Sequence, residues 1–321
     1  MRLRTVSCQD PGWRRIRSGR GFRYVDERGD ALPAEAVERV KALVIPPAWT
    51  DVWICPHERG HLQVVGTDDA GRRQYLYHPA WRQKRDEAKF DRVHEMARKL
   101  PGVRRKLRNA LKGDPTARET VLAAAVRLVD LGCFRLGAEE YTHDYGSRGL
   151  TTLERRHLHR VNGQAVFDFV GKSGIEHEIR VDDAAVLRVL SALTRGRRPS
   201  SRLIAAREAG RWTPVGADEV NDYLRDVFDQ DVTAKDLRTW HATVTVAAAL
   251  GSAERASSAR GRAKQVRAAV TEASELLGNT PAVARSAYVD PRVIDLFEDG
   301  VTIEPKRGED ALTRAVVELL D

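Results

Sequence analysis

No run of roughly 18 apolar residues occurs in the chain, so no membrane-crossing helix is expected. The start, MRLRTVSCQDPGWRRIR, has no apolar signal region, which argues against secretion. Cysteine is scarce. Cys8, Cys55 and Cys133 are odd in number and far apart, as expected of reduced thiols in a cytoplasm rather than of a disulfide framework. The segment CPHERGH at 55–61 lacks a second ligand cluster at zinc-like spacing, so no metal is expected there. Neither a Walker-type phosphate loop nor a GxGxxG occurs, so nothing points to ATP or a dinucleotide, and no cofactor is expected. No convincing carboxylate cluster suggests a metal-dependent nuclease, and no internal repeat is visible.

What is present fits a two-domain protein with a real core: 321 residues, 42% hydrophobic and 31% charged. The formal net charge is +8. The basic residues cluster in RRIRSGRGFR (14–23), RKLPGVRRKLR (98–108), TRGRRPSSR (194–202) and RASSARGRAKQVR (255–267). One such run is a solvated helix face or loop. Four without balancing acidic blocks suggest a surface that tracks phosphates, with double-stranded DNA as the expected partner.

The patterning predicts an α+β chain: a small β-rich domain over 1–80 and a larger, mainly α domain over 81–321. In the first, GFRYVD, VWICP, HLQVVG and RQYLYH read as strands, and AEAVERVKALV as one helix after Pro33. A basic helical stretch over 81–111 ends at a Gly-Asp-Pro break, and TARETVLAAAVRLVDLGCFR then reads as an apolar helix that delivers Arg135. LTTL, HLHRV, QAVFDFVG and HEIRV suggest a three-stranded antiparallel sheet, with Asn162-Gly163 at one hairpin turn and Lys172 at the tip of another. The remainder reads as helices, interrupted by a small, polar, basic linker over 252–263.

Arg135, Lys172, Arg238 and Tyr288 form a chemically complete set for attack on a phosphodiester. Phenoxide is both a fair nucleophile and a fair leaving group, so the covalent step is reversible. Two guanidiniums can hold the non-bridging oxygens of a charged transition state, and a lysine can protonate the departing sugar oxygen.

The words around these residues, FRLG, FVGKSG, KDLRTW and GNTPAVARSAY, resemble the catalytic motifs of type IB DNA topoisomerases, most of all the compact poxvirus and bacterial branch. IPPAWTDVWI and VVGTDDAGRRQYLYH resemble the N-terminal DNA-contacting module of that branch, so the resemblance runs from about Leu43 to Tyr288. It implies an ATP-independent isomerase that needs no metal. Such an enzyme relaxes supercoils as a monomer, its two domains closing as a clamp around duplex DNA, through a 3′-phosphotyrosine link and a free 5′-hydroxyl. In this chain Tyr288 would be the nucleophile, Arg135 and Arg238 the phosphate clamp and Lys172 the general acid. Asn279 stands where many family members carry histidine and would donate one neutral hydrogen bond. Arg72, Arg73, Gln74, Tyr75, Tyr77, Tyr141 and Lys235 would contact DNA. Alternation puts Tyr75 and Tyr77 on one strand face and Gln74 on the other, so at least one of them could be core. The site of action implied is the cytoplasm, on the nucleoid.

Two other readings share these residues. A tyrosine recombinase uses the same Arg, Lys, Arg, Tyr chemistry, but usually has histidine where Lys235 stands and a helical N-terminal domain. A non-enzymatic basic DNA-binding protein would carry the motifs as relics.

Overall fold

The computed structural model of the chain describes residues 2–137, 146–304 and 307–321. The chain forms two compact units, 1–89 and 90–321. Among the described residues no helix is long and apolar enough to cross a membrane.

The first unit holds an antiparallel sheet in the order β2-β1-β3-β4-β5. Its strands are β1 (Trp13–Ser18), β2 (Gly21–Val25), β3 (Thr50–Ile54), β4 (Leu62–Thr67) and β5 (Arg73–Tyr77), with helix α1 (Ala34–Ala42) between β2 and β3. Val40 of α1 meets Val52, Ile54 and Val64 in a small core closed by Trp13, Tyr24, Trp49 and Leu76. β1 lies inside a basic run expected to belong to a phosphate-tracking surface. Its register with β2 runs from Arg14↔Val25 to Ser18↔Gly21. Arg15 points its guanidinium at the carbonyls of Ile45, Pro46 and Trp49, so this cation serves the fold.

The second unit is mainly helical. Helix α2 (Pro79–Ala110) contains the division between the units, and α3 (Arg118–Gly132) follows. β6 (Leu158–Val161), β7 (Gln164–Val170) and β8 (Glu176–Val181) then form a three-stranded antiparallel sheet in that order. Asn162 and Gly163 both have positive φ, 50° and 85°, the conformation that a tight Asn-Gly hairpin turn demands. LTTL is no strand: 150–152 form a single 3-10 turn. Helix α4 (Ala184–Thr194), a short β9–β10 hairpin (Ala205–Glu208, Arg211–Pro214) that the sequence did not suggest, and α5 (Ala217–Phe228) come next. Helices α6 (Ala234–Ser252), α7 (Ala259–Leu277), α8 (Pro281–Ala287), α9 (Pro291–Glu298) and α10 (Glu309–Leu320) complete the unit. The expected 252–263 linker is shorter than that, because α7 already starts at Ala259. Arg255 ties the joint to the carbonyls of Phe297 and Glu298.

α3 is nearly all apolar and buried, with Val121, Ala124, Ala125, Leu128 and Val129 inside the core. Besides Arg127, it buries one carboxylate, that of Asp130. Both its oxygens accept from Arg104 of α2 at 2.9 Å. Arg127 adds a bond at 2.5 Å, and His241 of α6 one at 2.9 Å. Arg127 and Arg104 reach on to Glu309 and Asp310 of α10. Burial alone would raise the Asp130 carboxyl, but the bonds from His241 and Arg104 outweigh it and hold the group far below the usual carboxylate range. The 98–108 run therefore serves the interior at Arg104, while Lys99 and Lys106 bind carbonyls at the end of α5.

Asp130→Ala should cost about 3–5 kcal/mol, because it leaves two buried arginines without their shared counter-charge. The melting temperature should fall by roughly 10 °C, read by calorimetry. Since the folded-state pKa is depressed, the carboxylate's contribution is complete above the ordinary aspartate value of ~3.9 and is lost only as pH falls below it. A wild-type stability that already declines between pH 7 and 5 would have to come from another group.

Candidate active site

Three chain ends meet at one cleft, and ordinary capping chemistry sets each of them. α3 stops because Cys133 turns left-handed (φ 51°) and donates its N–H to Val129, after which Phe134 and Arg135 lie outside any helix or strand. α7 stops at Gly278 (φ 59°). The Gly278 N–H bonds the Glu275 carbonyl at 3.1 Å and the Asn279 N–H bonds that of Ser274 at 3.0 Å, a paired closure that favours glycine. α8 starts with Thr280 capping the Val283 N–H and Pro281 at its first position, and ends at Tyr288.

Arg238, on the second turn of α6, is only 3% exposed. Its guanidinium bonds the carbonyls of Cys133 and, at 3.0 Å, Leu277, so it joins the end of α3 to the end of α7. It also lies 5.7 Å from the centre of the Tyr288 ring. Arg135 is half-buried and reaches the Gly278 carbonyl at 3.3 Å and the Asn279 side-chain oxygen. Arg135, Arg238 and Asn279 thus converge beside Tyr288. Burial lowers the pKa of both arginines, and for Arg238 the like charge of Arg135 lowers it further. Among the described residues, neither guanidinium pairs with a carboxylate. Two donors here are buried without a partner among the described residues: Arg238 Nε and Asn279 Nδ2. Such an arrangement calls for an anion, because unpaired buried cations and donors are costly until one is bound.

Tyr288 is held from behind. Thr243, on α6 with Arg238, accepts the Asp290 N–H at 3.1 Å, and its hydroxyl lies 3.3 Å from the Tyr288 carbonyl oxygen. Lys172 occupies a 3-10 turn at 172–174 between β7 and β8, exposed, with Ser173 (φ 65°) and Gly174 (φ 74°) completing the tip. Lys235 is exposed on the first turn of α6, one turn from buried Arg238.

In the first unit, β5 settles the alternation. Leu76 faces the core, and Gln74, on the same side, donates to Asp68 at 2.8 Å. Tyr75 and Tyr77 share the other face, their rings 6.2 Å apart and stacked, with Tyr75 46% exposed. Arg72 and Arg73 are exposed, and Arg72 pairs with Asp68 at 2.8 Å. The hydrogen bonds from Arg72, above all, hold the Asp68 carboxyl down to about 2. Tyr141 lies outside the described residues.

The sequence reading passed over Thr243 and His177. Thr243 carried no signal. For His177 the alternation of HEIRV was a usable one, since it puts His177, Ile179 and Val181 on a single face.

Two guanidiniums beside a tyrosine suit chemistry on a phosphodiester, and comparison with known proteins gives the class. The family described as eukaryotic DNA topoisomerase I, catalytic core, matches residues 78–301, and bacterial DNA topoisomerase IB, N-terminal domain, matches 21–68. The chain belongs to the type IB DNA topoisomerases, which are isomerases. It is 27% identical over 294 residues to DNA topoisomerase 1B of Acanthamoeba polyphaga mimivirus, covering 86% of this chain and 84% of that protein. It is 24% identical over 286 residues to DNA topoisomerase 1B of vaccinia virus (strain Copenhagen), covering 86% of each.

Thr243→Val keeps the side-chain volume but leaves the buried Asp290 N–H without an acceptor. It should destabilise the protein by about 1–3 kcal/mol in urea unfolding, and Thr243→Ser should recover most of that. Equal stability of the Val variant and wild type would mean that the backbone behind Tyr288 is held by other contacts.

Proposed function

We propose that the protein relaxes supercoiled DNA by nicking one strand and resealing it, with Tyr288 as the nucleophile. The observation that carries this reading is a buried and a half-buried guanidinium beside the Tyr288 ring that, among the described residues, meet no carboxylate and leave two donors unpartnered. Family membership and the relatives' names support DNA topology as the substrate property changed.

In this reading a DNA phosphate takes the anion position. Tyr288 Oη attacks phosphorus, passing its proton to water as the new bond forms, and the bond to the 5′ oxygen breaks. Lys172 gives a proton to that oxygen, leaving a 3′-phosphotyrosyl link and a free 5′-hydroxyl. Arg135, Arg238 and Asn279 hold the non-bridging oxygens as charge builds there, and each arginine supplies ~3–4 kcal/mol. The phosphodiester energy is kept in the tyrosyl ester, so torsion drives rotation and the 5′-hydroxyl reverses the step. Neither ATP nor a metal is required, because the two arginines neutralise the reacting phosphate. Arg72, Arg73, Tyr75, Tyr77, Tyr141 and Lys235 contact the duplex, and Gln74 joins them once it exchanges its Asp68 bond for a base edge. The enzyme acts as a monomer on nucleoid DNA in the cytoplasm, a setting in keeping with the unbridged Cys8, Cys55 and Cys133.

The test is supercoiled plasmid in EDTA. Wild type should yield relaxed topoisomers, and Tyr288→Phe none, with duplex affinity kept. Relaxation by the Phe variant, or a strict divalent-ion requirement, would contradict the proposal. Asn279→His should change the cleavage rate by no more than roughly tenfold, about 1.4 kcal/mol. Asn279→Ala should slow it more, by leaving a transition-state oxygen unpaired. An Ala variant as fast as wild type would reduce Asn279 to a helix-end residue.

A further inference from the structure

We propose that His177 is a positioning residue for the general acid: its ring fixes the base of the Lys172 hairpin against the helix end that carries Asn279. The proposal rests on the reading of Lys172 as the acid.

The geometry is specific. His177 on β8 pairs across the sheet with Phe169 on β7, and their rings stack with centroids 5.1 Å apart at 17°. Phe169 stacks in turn on Phe134, 6.0 Å away at 15°, and Phe134 is the chain neighbour of Arg135. The edges of the His177 ring touch two glycines. A Cβ at Gly171, the residue before Lys172, would lie 2.7 Å from its Cδ2 and Nε2. A Cβ at Gly278, the residue before Asn279, would lie 2.1 Å from its Cε1. Gly278 has φ +59°, so its backbone also favours glycine, but Gly171 has φ −93°, open to any residue. At position 171 it is the ring that excludes a side chain. One flat group therefore spaces Lys172 and Asn279 through their immediate neighbours and connects to Arg135 through Phe169 and Phe134, and it lines a small cleft with Arg135, Arg238 and Gly171.

The tip itself has little to hold it. The Gly171 N–H bonds the Ile175 carbonyl at 2.7 Å and the Gly174 N–H bonds that of Gly171 at 3.2 Å, while Lys172 is exposed. The direction in which Lys172 reaches is thus set at the base of the hairpin, where His177 sits. Burial first, then the charges of Arg135 and Arg238, lower the His177 pKa and favour the neutral ring, so it adds no third cation to the phosphate site.

The experiment measures single-turnover cleavage of a duplex carrying either the normal 5′ oxygen or a 5′-bridging sulfur, which leaves without a proton. His177→Ala should cut the oxygen rate by about 10–100-fold, as expected of a misplaced catalytic group, and sulfur should restore it to near wild type. Gly171→Ala pushes a methyl into the ring and should give the same sulfur-rescued defect. It carries the test if His177→Ala fails to fold. His177→Phe keeps a flat ring in the slot and should recover most of the oxygen rate. Lys172→Ala is the control. If Lys172→Ala is rescued by sulfur and His177→Ala is equally slow on both substrates, the positioning role is overturned while the acid assignment stands. A wild-type oxygen rate in His177→Ala overturns it as well. If sulfur fails to rescue Lys172→Ala, the acid assignment falls, and this proposal with it.

Discussion

The second unit depends on one buried carboxylate. Asp130 is buried in the last turn of α3, where an isolated charge would be untenable, and is kept ionised by Arg104, Arg127 and His241. Those partners come from α2, α3 and α6, and the arginines extend the network to α10. The consequence for function is geometric. α3 ends in the segment bearing Arg135 and α6 bears Arg238, so the bond from His241 to Asp130 fixes the two helices that deliver the guanidiniums. A hydrophobic core alone would hold α3 and α6 together without fixing how one is rotated against the other.

The same logic runs in reverse at the active site. In the Asp130 network the buried arginines Arg104 and Arg127 have carboxylate partners. In the cleft Arg135 and Arg238 have only backbone carbonyls and the Asn279 oxygen among the described residues. Carbonyls at the end of α7 carry partial negative charge, enough to orient a guanidinium without neutralising it. The site is preorganised for an anion, and the two guanidiniums are held close against their mutual repulsion at the expense of lowered pKa values. Thr243 meets the Tyr288 backbone from the same helix as Arg238, so the proposed nucleophile and one arm of the proposed clamp share a rigid support.

Sequence words picked out the residues that meet at the cleft and gave the architecture unevenly. Arg135, Arg238, Asn279 and Tyr288 could be named from their flanking motifs, but no spacing announces that the end of α7 is where both arginines converge. The Asn-Gly turn and the Lys172 tip were legible because glycine and asparagine mark positive φ. β1 was hidden because WRRIRS reads first as charge, and Arg15 turned out to serve three carbonyls. The start of α7 was mistaken for linker since alanine and arginine, though strong helix formers, stood among serines and glycines. Composition also cannot tell an inward arginine from an outward one. Arg104 belongs to a run read as a phosphate-tracking surface and is 1% exposed. In β5, alternation left Gln74 and the tyrosines undecided until Leu76 identified the buried face.

The central claim is that Tyr288 becomes covalently joined to the 3′ side of a broken strand between two unpaired arginines. The most direct measurement denatures the protein during reaction with an end-labelled duplex, digests the adduct with trypsin and sequences the DNA-bearing peptide. The account predicts a 3′-phosphodiester on Tyr288 in the peptide 286–292, with an unlabelled strand ending in a 5′-hydroxyl. An adduct on any other peptide, or one joined to the 5′ side, would contradict it.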